Sequence, residues 1–202
     1  HFYLKDVKED DKIALTFTTM AGDTLGSFNT KAKEKDKKLT VKKGGNTFVW
    51  DTQGKGAEEL DGMILWWANL EGAKAVPGDY KVHLNVNEAT STETFTILAD
   101  PRAEVGVAAM QKQYDFVEDV NATVDRAHQS IKKIRKISTQ LDAFTKQYKD
   151  NEATKELVEK AKKMKSDFET IEKALYQTQN RSGQDPLNFP IRLTNKLGHL
   201  NS

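Results

Sequence analysis

The residues best suited to contact a ligand in this sequence are two adjacent tryptophans, Trp66 and Trp67. If the run Met63–Ala68 that contains them is a strand, neighbouring side chains point to opposite faces of a sheet. One indole is therefore expected to be buried and the other exposed. An exposed indole can stack on a sugar ring or anchor a protein interface. The alternative is that both rings are covered, one by the core of the sheet domain and one by the first helix.

A second group of polar side chains lies near the end of the chain, around a predicted loop. It comprises Arg181, Gln184, Asn188 and Arg192. Their guanidinium and amide groups could together hold a ligand. The structural alternative is a satisfied turn, with helix caps and with arginine–carboxylate contacts to the long helix or the sheet domain. The binding residues predicted from the sequence are therefore the two tryptophans and these four.

The histidines and acidic residues form no recognisable catalytic or metal-binding motif. Zinc sites need three or four converging ligands, usually with short-spaced pairs. The four histidines are instead far apart in sequence: His1, His83, His128 and His199. There is no cysteine, and no serine lies in a Gly-x-Ser-x-Gly elbow. Glycosidases need two facing carboxyl groups, but surface acids account for pairs such as Glu118 and Asp119. We therefore predict no metal, no cofactor and no catalytic residue.

Composition argues against two classes of partner. The net charge is +1 and neither half of the chain is strongly basic, so nucleic acid is not an expected ligand. No apolar run approaches the roughly 20 residues of a membrane span. The absence of cysteine is compatible with the cytoplasm and with exported bacterial proteins. Because the first residue is His1 rather than methionine, we expect a fragment or a processed product.

Residues 1–100 predict an antiparallel β-sandwich. Ile13, Leu15 and Phe17 alternate with polar or small residues, as in a half-buried strand. The same alternation follows a Pro-Gly turn in Tyr80–Val86. About seven short strands separated by turns are typical of an immunoglobulin or fibronectin type of sandwich. Without a disulfide, such a sandwich must be held together by packing alone.

After Pro101 the apolar period changes from two residues to 3.6, which indicates helices. Residues 101–202 predict an antiparallel three-helix bundle, with helices at about 104–149, 152–179 and 190–200. The first helix, with an apolar stripe from Val117 to Tyr148, would be roughly 60 Å long. A stripe on the second helix comprises Leu157, Ala161, Met164, Phe168, Ile171 and Leu175. Leu193, Leu197 and Leu200 supply the third. Because these stripes can cover the long helix, we expect a monomer.

Four passages resemble a known family of bacterial proteins. Three of them are Asn46–Asp51, Pro77–Leu84 and Asp100–Arg102. They are similar to the immunoglobulin-like module near the C-terminus of exported proteins that carry sialidase-type Asp-box repeats in sortilin-like β-propellers, often labelled glycosyl hydrolases. The fourth passage, Ala174–Leu193, resembles the end of the same proteins. The similarity covers essentially the whole chain.

The resemblance implies a C-terminal ancillary region of a larger exported protein that is periplasmic, cell-surface or secreted. Its partners would be the upstream propeller domains of the same parent chain. Hydrolase activity, where assigned in this family, belongs to the propeller repeats, and no Asp-box of the Ser-x-Asp-x-Gly-x-x-Trp kind occurs here. We therefore predict a non-enzymatic spacer or docking module. The alternatives are a glycan- or protein-binding module that uses an exposed tryptophan, and part of a glycoside hydrolase.

Overall fold

The computed structural model describes residues 1–102 and 104–201. Antiparallel sheets occupy the N-terminal part of these residues, and three α-helices occupy the C-terminal part. The predicted α+β class is therefore confirmed. Within the described residues, no helix combines the length and the apolar character that crossing a membrane requires.

The chain divides into two compact units, each built from two separate stretches of sequence. The sheet unit consists of His1–Lys55 and Glu71–Phe116, and the helical unit consists of Gly56–Leu70 and Val117–Ser202. The main difference from the predicted division at residue 100 is the stretch of residues 56–70. This stretch, the inserted segment, lies between strands in the sequence but belongs to the helical unit.

The described residues of the sheet unit form six strands in two antiparallel sheets. The strands are β1 (Phe2–Leu4), β2 (Ile13–Thr19), β3 (Thr24–Asn29), β4 (Gly44–Asn46), β5 (Gly78–Val86) and β6 (Ala89–Ile97). The larger sheet has the order β3-β2-β5-β6, and β1 pairs with β4. A 3-10 turn, Lys35–Lys37, lies between β3 and β4.

The two-residue alternation along β2 places its apolar side chains in the core of the sheet unit. Leu15 pairs with Leu84 of β5, and Phe17 pairs with Val82, so these apolar side chains share one face of the sheet. The ring of Phe17 stacks on Trp50 with 4.4 Å between ring centres. Aromatic pairs of this kind add packing energy beyond the area that they bury. An aromatic cluster around Phe17 therefore packs against the aliphatic residues of this core.

Two short stretches of the sheet unit run side by side where the inserted segment leaves and rejoins it. The backbone N–H of Gly54 donates to the carbonyl of Ala73 at 2.9 Å, and that of Ala75 donates to Thr52 at 2.8 Å. A Cβ atom on Gly72 would lie 2.2 Å from the carbonyl carbon of Gly54. Because any side chain at residue 72 would collide with this backbone, glycine is required there.

The three α-helices differ greatly in length. They are α1 (Val107–Tyr148), α2 (Lys155–Leu175) and α3 (Leu193–His199). Two further 3-10 turns, Glu152–Thr154 and Asp185–Leu187, precede α2 and α3. We predicted helices at about 104–149, 152–179 and 190–200, so α2 ends earlier and α3 is shorter than expected.

The covered stripe of α2 agrees with the prediction at Ala161, Phe168 and Leu175 and differs from it at the other three positions. Val158 and Ala161 are buried, whereas Leu157, Met164 and Ile171 are each about half exposed, at 49–53%. The prediction counted only apolar residues, but the covered stripe also contains two charged side chains. Lys165 pairs with Asp142 of α1 at 2.7 Å, and Glu172 pairs with Arg135 of α1, also at 2.7 Å. Ion pairs to the neighbouring helix therefore allow charged residues at covered positions.

The inserted segment forms no strand, so the alternation considered for Met63–Ala68 does not apply. Instead, Ala57 and Leu70 pack on Val124 of α1, and both Leu60 and Tyr176 pack on Ile131. Met63–Ala68 is a continuous apolar run rather than an alternating one, and such a run is compatible with burial against a helix as well as in a sheet. The long helix is therefore covered partly by irregular chain.

The first prediction concerns Leu60, whose side chain is 3% exposed. We expect Leu60→Ala to lower the free energy of unfolding by about 2–5 kcal/mol, because it leaves a cavity against Ile131 and Tyr176. Urea denaturation measures this change.

The matched control is Leu187→Ala, because Leu187 is 67% exposed. It should change stability by no more than about 0.5 kcal/mol. Equal effects of the two substitutions would contradict a structural role for the inserted segment.

Candidate binding site

The two tryptophans of the inserted segment lie in an irregular loop with different exposures. Trp66 is half-buried, whereas Trp67 is 85% exposed. Their ring centres are 5.9 Å apart and the rings are tilted by 44°. The loop therefore presents one indole to solvent and holds the other beside it.

The backbone at Trp67 has a left-handed conformation, with φ = +51°. This conformation costs a residue other than glycine about 1–2 kcal/mol, because Cβ approaches the carbonyl oxygen. Backbone of this kind persists only where the surroundings impose it, and it is concentrated at functional sites. The neighbouring contacts must therefore hold Trp67 in place.

The backbone of Trp66 is held by two side chains of α3. The N–H of Trp66 donates to Asn195 Oδ1 at 2.8 Å, and Asn195 Nδ2 donates to the carbonyl of Trp66 at 3.1 Å. His199 Nε2 lies 2.6 Å from the same carbonyl. Since a carbonyl only accepts hydrogen bonds, this contact requires the proton on Nε2. We call Asn195 and His199 the α3 clamp.

Close packing between α3 and the inserted segment supports the α3 clamp. A Cβ atom on Gly198 would lie 2.8 Å from the Cβ of Ala68, and the carbonyl of Gly198 accepts a hydrogen bond from Asn69. At the start of α3, Thr194 Oγ1 donates to the carbonyl of Leu175, in the last turn of α2. The short helix is thus fixed to both of its neighbours within the helical unit.

The four predicted residues of the closing loop do not act as a group. Gln184, Asn188 and Arg192 are exposed, and within the described residues their side chains make no hydrogen bond or ion pair. Arg181 donates from Nη1 to the carbonyls of Thr178 and Asn180 at 3.3 and 3.4 Å. Of this set, Arg181 lines a cavity of the helical unit.

That cavity has a volume of about 380 Å³ and lies entirely within the helical unit. Its walls come from the inserted segment, α1, α2 and the loop after α2. Arg135 of α1 and Tyr176 contribute to it, so we call it the Arg135 cavity. Sequence reasoning missed both residues, as it missed Asn195 and His199. For the last two, the only available signal was their i, i+4 spacing on α3.

Comparison with known proteins provides no identification. No protein-family model matches the chain, and neither the curated proteins nor the solved structures include a significant match. Among the described residues, no group of three or more histidines and acidic residues is arranged to hold a metal ion.

The second prediction concerns the α3 clamp. We expect Asn195→Ala to lower the free energy of unfolding by about 1–3 kcal/mol, because it leaves the N–H of Trp66 without its acceptor. Hydrogen exchange of the Trp66 amide should accelerate. Asn188→Ala, at an exposed position, should change neither quantity. Unchanged exchange at Trp66 in Asn195→Ala would show that the clamp does not hold this loop.

The third prediction concerns the pH dependence of the closing loop. The backbone N–H groups of Arg181 and Ser182 donate to Asp185 at 2.5 and 2.9 Å, and they lower the pKa of its carboxyl group. A pKa that is lower in the folded state stabilises the fold above the unfolded value of about 3.9. This contribution is lost as the pH falls through the folded pKa.

An NMR titration should therefore show the amide signals of Arg181 and Ser182 shifting together at a midpoint below pH 3.9. Asp185→Asn keeps an acceptor but cannot titrate, so it should abolish that shift. A midpoint at or above pH 3.9 would contradict the role of these two hydrogen bonds.

Proposed function

We propose that this chain is a non-catalytic docking module and that Trp67 is its principal contact residue. The observation that carries the proposal is the 85% exposure of Trp67 on a loop fixed by the α3 clamp. An indole offers about 150–250 Å² of surface. At about 25 cal/mol per Å², covering it is worth roughly 4–6 kcal/mol before the entropic cost of association is subtracted.

The clamp favours binding over a packing role for Trp67. When a side chain becomes ordered only on binding, the loss of its conformational entropy weakens the affinity for the partner. Here Asn195 and His199 already fix the adjacent residue, Trp66, and the indole itself has only two rotatable bonds. The strained φ of Trp67 is thus consistent with a contact that is ordered before the partner arrives.

The partner that we favour is another protein surface rather than a glycan. The rings of Trp66 and Trp67 are tilted by 44°, so they do not form one flat platform for successive sugar rings. A single protruding tryptophan is typical of the hot spots that dominate protein interfaces. Glycan binding through Trp67 remains the alternative outcome of the experiment below.

The wider assignment rests on the family resemblance. In this proposal the sheet unit is an immunoglobulin-like sandwich, and the helical unit is an antiparallel bundle completed by the inserted segment. Both belong to the C-terminal region of a larger exported protein, and they dock against its propeller domains. The chain by itself is then a monomer with no enzymatic activity of its own. The antiparallel sheets followed by three helices support this assignment only at the level of fold class.

The fourth prediction separates binding from stability at Trp67. We expect Trp67→Ala to weaken binding to the polypeptide encoded immediately upstream of His1 by at least about tenfold. Trp67→Gly should weaken it equally but should retain or raise stability by up to about 1 kcal/mol, because glycine adopts positive φ without strain. Calorimetry and urea denaturation measure the two effects.

Tyr3→Ala is the matched control, because Tyr3 is an aromatic residue with 71% exposure in the sheet unit. It should leave binding unchanged. Strong destabilisation by Trp67→Gly would assign Trp67 a structural role instead. Glycan-array binding that disappears in Trp67→Ala would replace the protein partner with a carbohydrate.

A further inference from the structure

The Arg135 cavity is a separate candidate site that does not involve the tryptophans. Its volume of about 380 Å³ is at the small end of the range of 300–1,000 Å³ that ligand pockets occupy. The apolar side chains of Leu60 and Met63 contribute to its walls, but most of its lining residues are polar. Its size and polarity suit a small polar molecule.

The guanidinium group of Arg135 is held in place but is only partly used. Its Nε donates to Glu172 at 2.7 Å, and its Cζ lies 5.8 Å from the ring centre of Tyr176. The hydroxyl of Tyr176 is fixed in turn by the backbone N–H of Ile64 at 2.9 Å. Within the described residues, Nη1 and Nη2 of Arg135 have no partner. Two such nitrogen donors in one plane match the oxygens of a carboxylate.

A second guanidinium lines the same cavity. Arg181 uses Nη1 for two long hydrogen bonds to the carbonyls of Thr178 and Asn180. In the part of the chain that the structure describes, its Nε and Nη2 make no hydrogen bond. The cavity therefore offers donors from two arginines to an incoming acceptor.

Unused acceptors lie in the walls as well. Asn180 is 7% exposed, and its Oδ1 is buried without a donor in the described structure. A buried acceptor without a partner is destabilising. A bound donor would therefore relieve this cost. The carboxylate of Asp61 also lines the cavity, and it has no ion pair or hydrogen bond among the described residues.

The charges around the cavity balance. Three basic and three acidic side chains line it: Arg135, Lys173, Arg181, Asp61, Glu169 and Glu172. Glu172 already pairs with Arg135, and Glu169 lies 3.7 Å from Lys173. A simple anion or cation would thus meet as much repulsion as attraction. A ligand that carries one negative and one positive group can pair with the unused arginine donors and also with the unused acceptors.

We propose that the Arg135 cavity binds a small zwitterion with the carboxylate and ammonium groups of a free amino acid. The carboxylate contacts Arg135 and Arg181, and the ammonium group faces Asp61 and Asn180. Charge-assisted hydrogen bonds are roughly twice as strong as neutral ones, which favours this ligand over an uncharged polyol.

The fifth prediction tests this ligand class on the full chain by NMR, with ¹⁵N-labelled protein. The probes are glycine, L-alanine and L-leucine, and the comparators are acetate, methylammonium and glucose. We expect at least one amino acid to shift the amide signals of Arg135, Tyr176 and Asn180, with at least tenfold higher affinity than any comparator.

Variants locate the binding groups. Asp61→Asn and Arg181→Gln change exposed side chains, so they should leave the fold intact and should weaken amino-acid binding by about tenfold or more. Arg135→Gln should also abolish binding, although it leaves Glu172 unpaired and can lower stability. Arg126→Gln is the matched control, because Arg126 lies on the same helix and its Nη2 contacts Thr123 instead.

Three results would overturn the proposal. Acetate binding as tightly as the amino acids would make the cavity an anion site, and equal binding of glucose would make it a polyol site. The absence of any shift up to about 50 mM amino acid would exclude a zwitterion site of useful affinity. Trp67→Ala should leave amino-acid binding unchanged, so a failure of this proposal is distinguishable from a failure of the docking function.

Discussion

The burial of one face of α1 under the inserted segment is the constraint on which the helical unit depends. Val124 and Ile131 are fully buried there, and residues 57–70 supply the apolar side chains that cover them from one side. His128 lies between them on the same face of the helix, and it is also fully buried. Its Nδ1 donates to the carbonyl of Glu58 at 2.5 Å. An apolar face of this size is not stable in water, so residues 56–70 are part of the helical core although they lie between strands in the sequence.

Because the inserted segment has no regular secondary structure, side chains satisfy several of its backbone groups. A buried N–H or carbonyl without a partner is costly, and a strand or helix would normally supply that partner. Here Asp125 accepts from the N–H of Glu58 at 2.6 Å, and the Tyr176 hydroxyl accepts from Ile64. Asn195 serves both backbone groups of Trp66. The same contacts fix the loop that exposes Trp67 and shape one wall of the Arg135 cavity. Both candidate sites therefore depend on the side chains that hydrogen-bond to the backbone of this segment.

Much of the fold was predictable because its elements have clear periodicity. The alternation of Ile13, Leu15 and Phe17 led to β2, and the 3.6-residue stripe from Val117 led to α1. The register of α2 was harder to predict, because Lys165 and Glu172 occupy covered positions that an apolar count rejects. The inserted segment was misassigned because Met63–Ala68 is apolar at every position. Such a run indicates burial without indicating the element that covers it.

Local patterns in the sequence determined the α+β class, the β-rich first half and the long first helix. They also singled out the adjacent pair of tryptophans, because large aromatic side chains in an otherwise polar sequence are conspicuous. Only the tertiary structure decided which tryptophan is exposed and which residues hold it. The contacts that decide this join residues 112 positions apart at Ile64 and Tyr176, and 129 apart at Trp66 and Asn195. Periodicity describes neighbours along the chain, so it carries no information about partners at that separation.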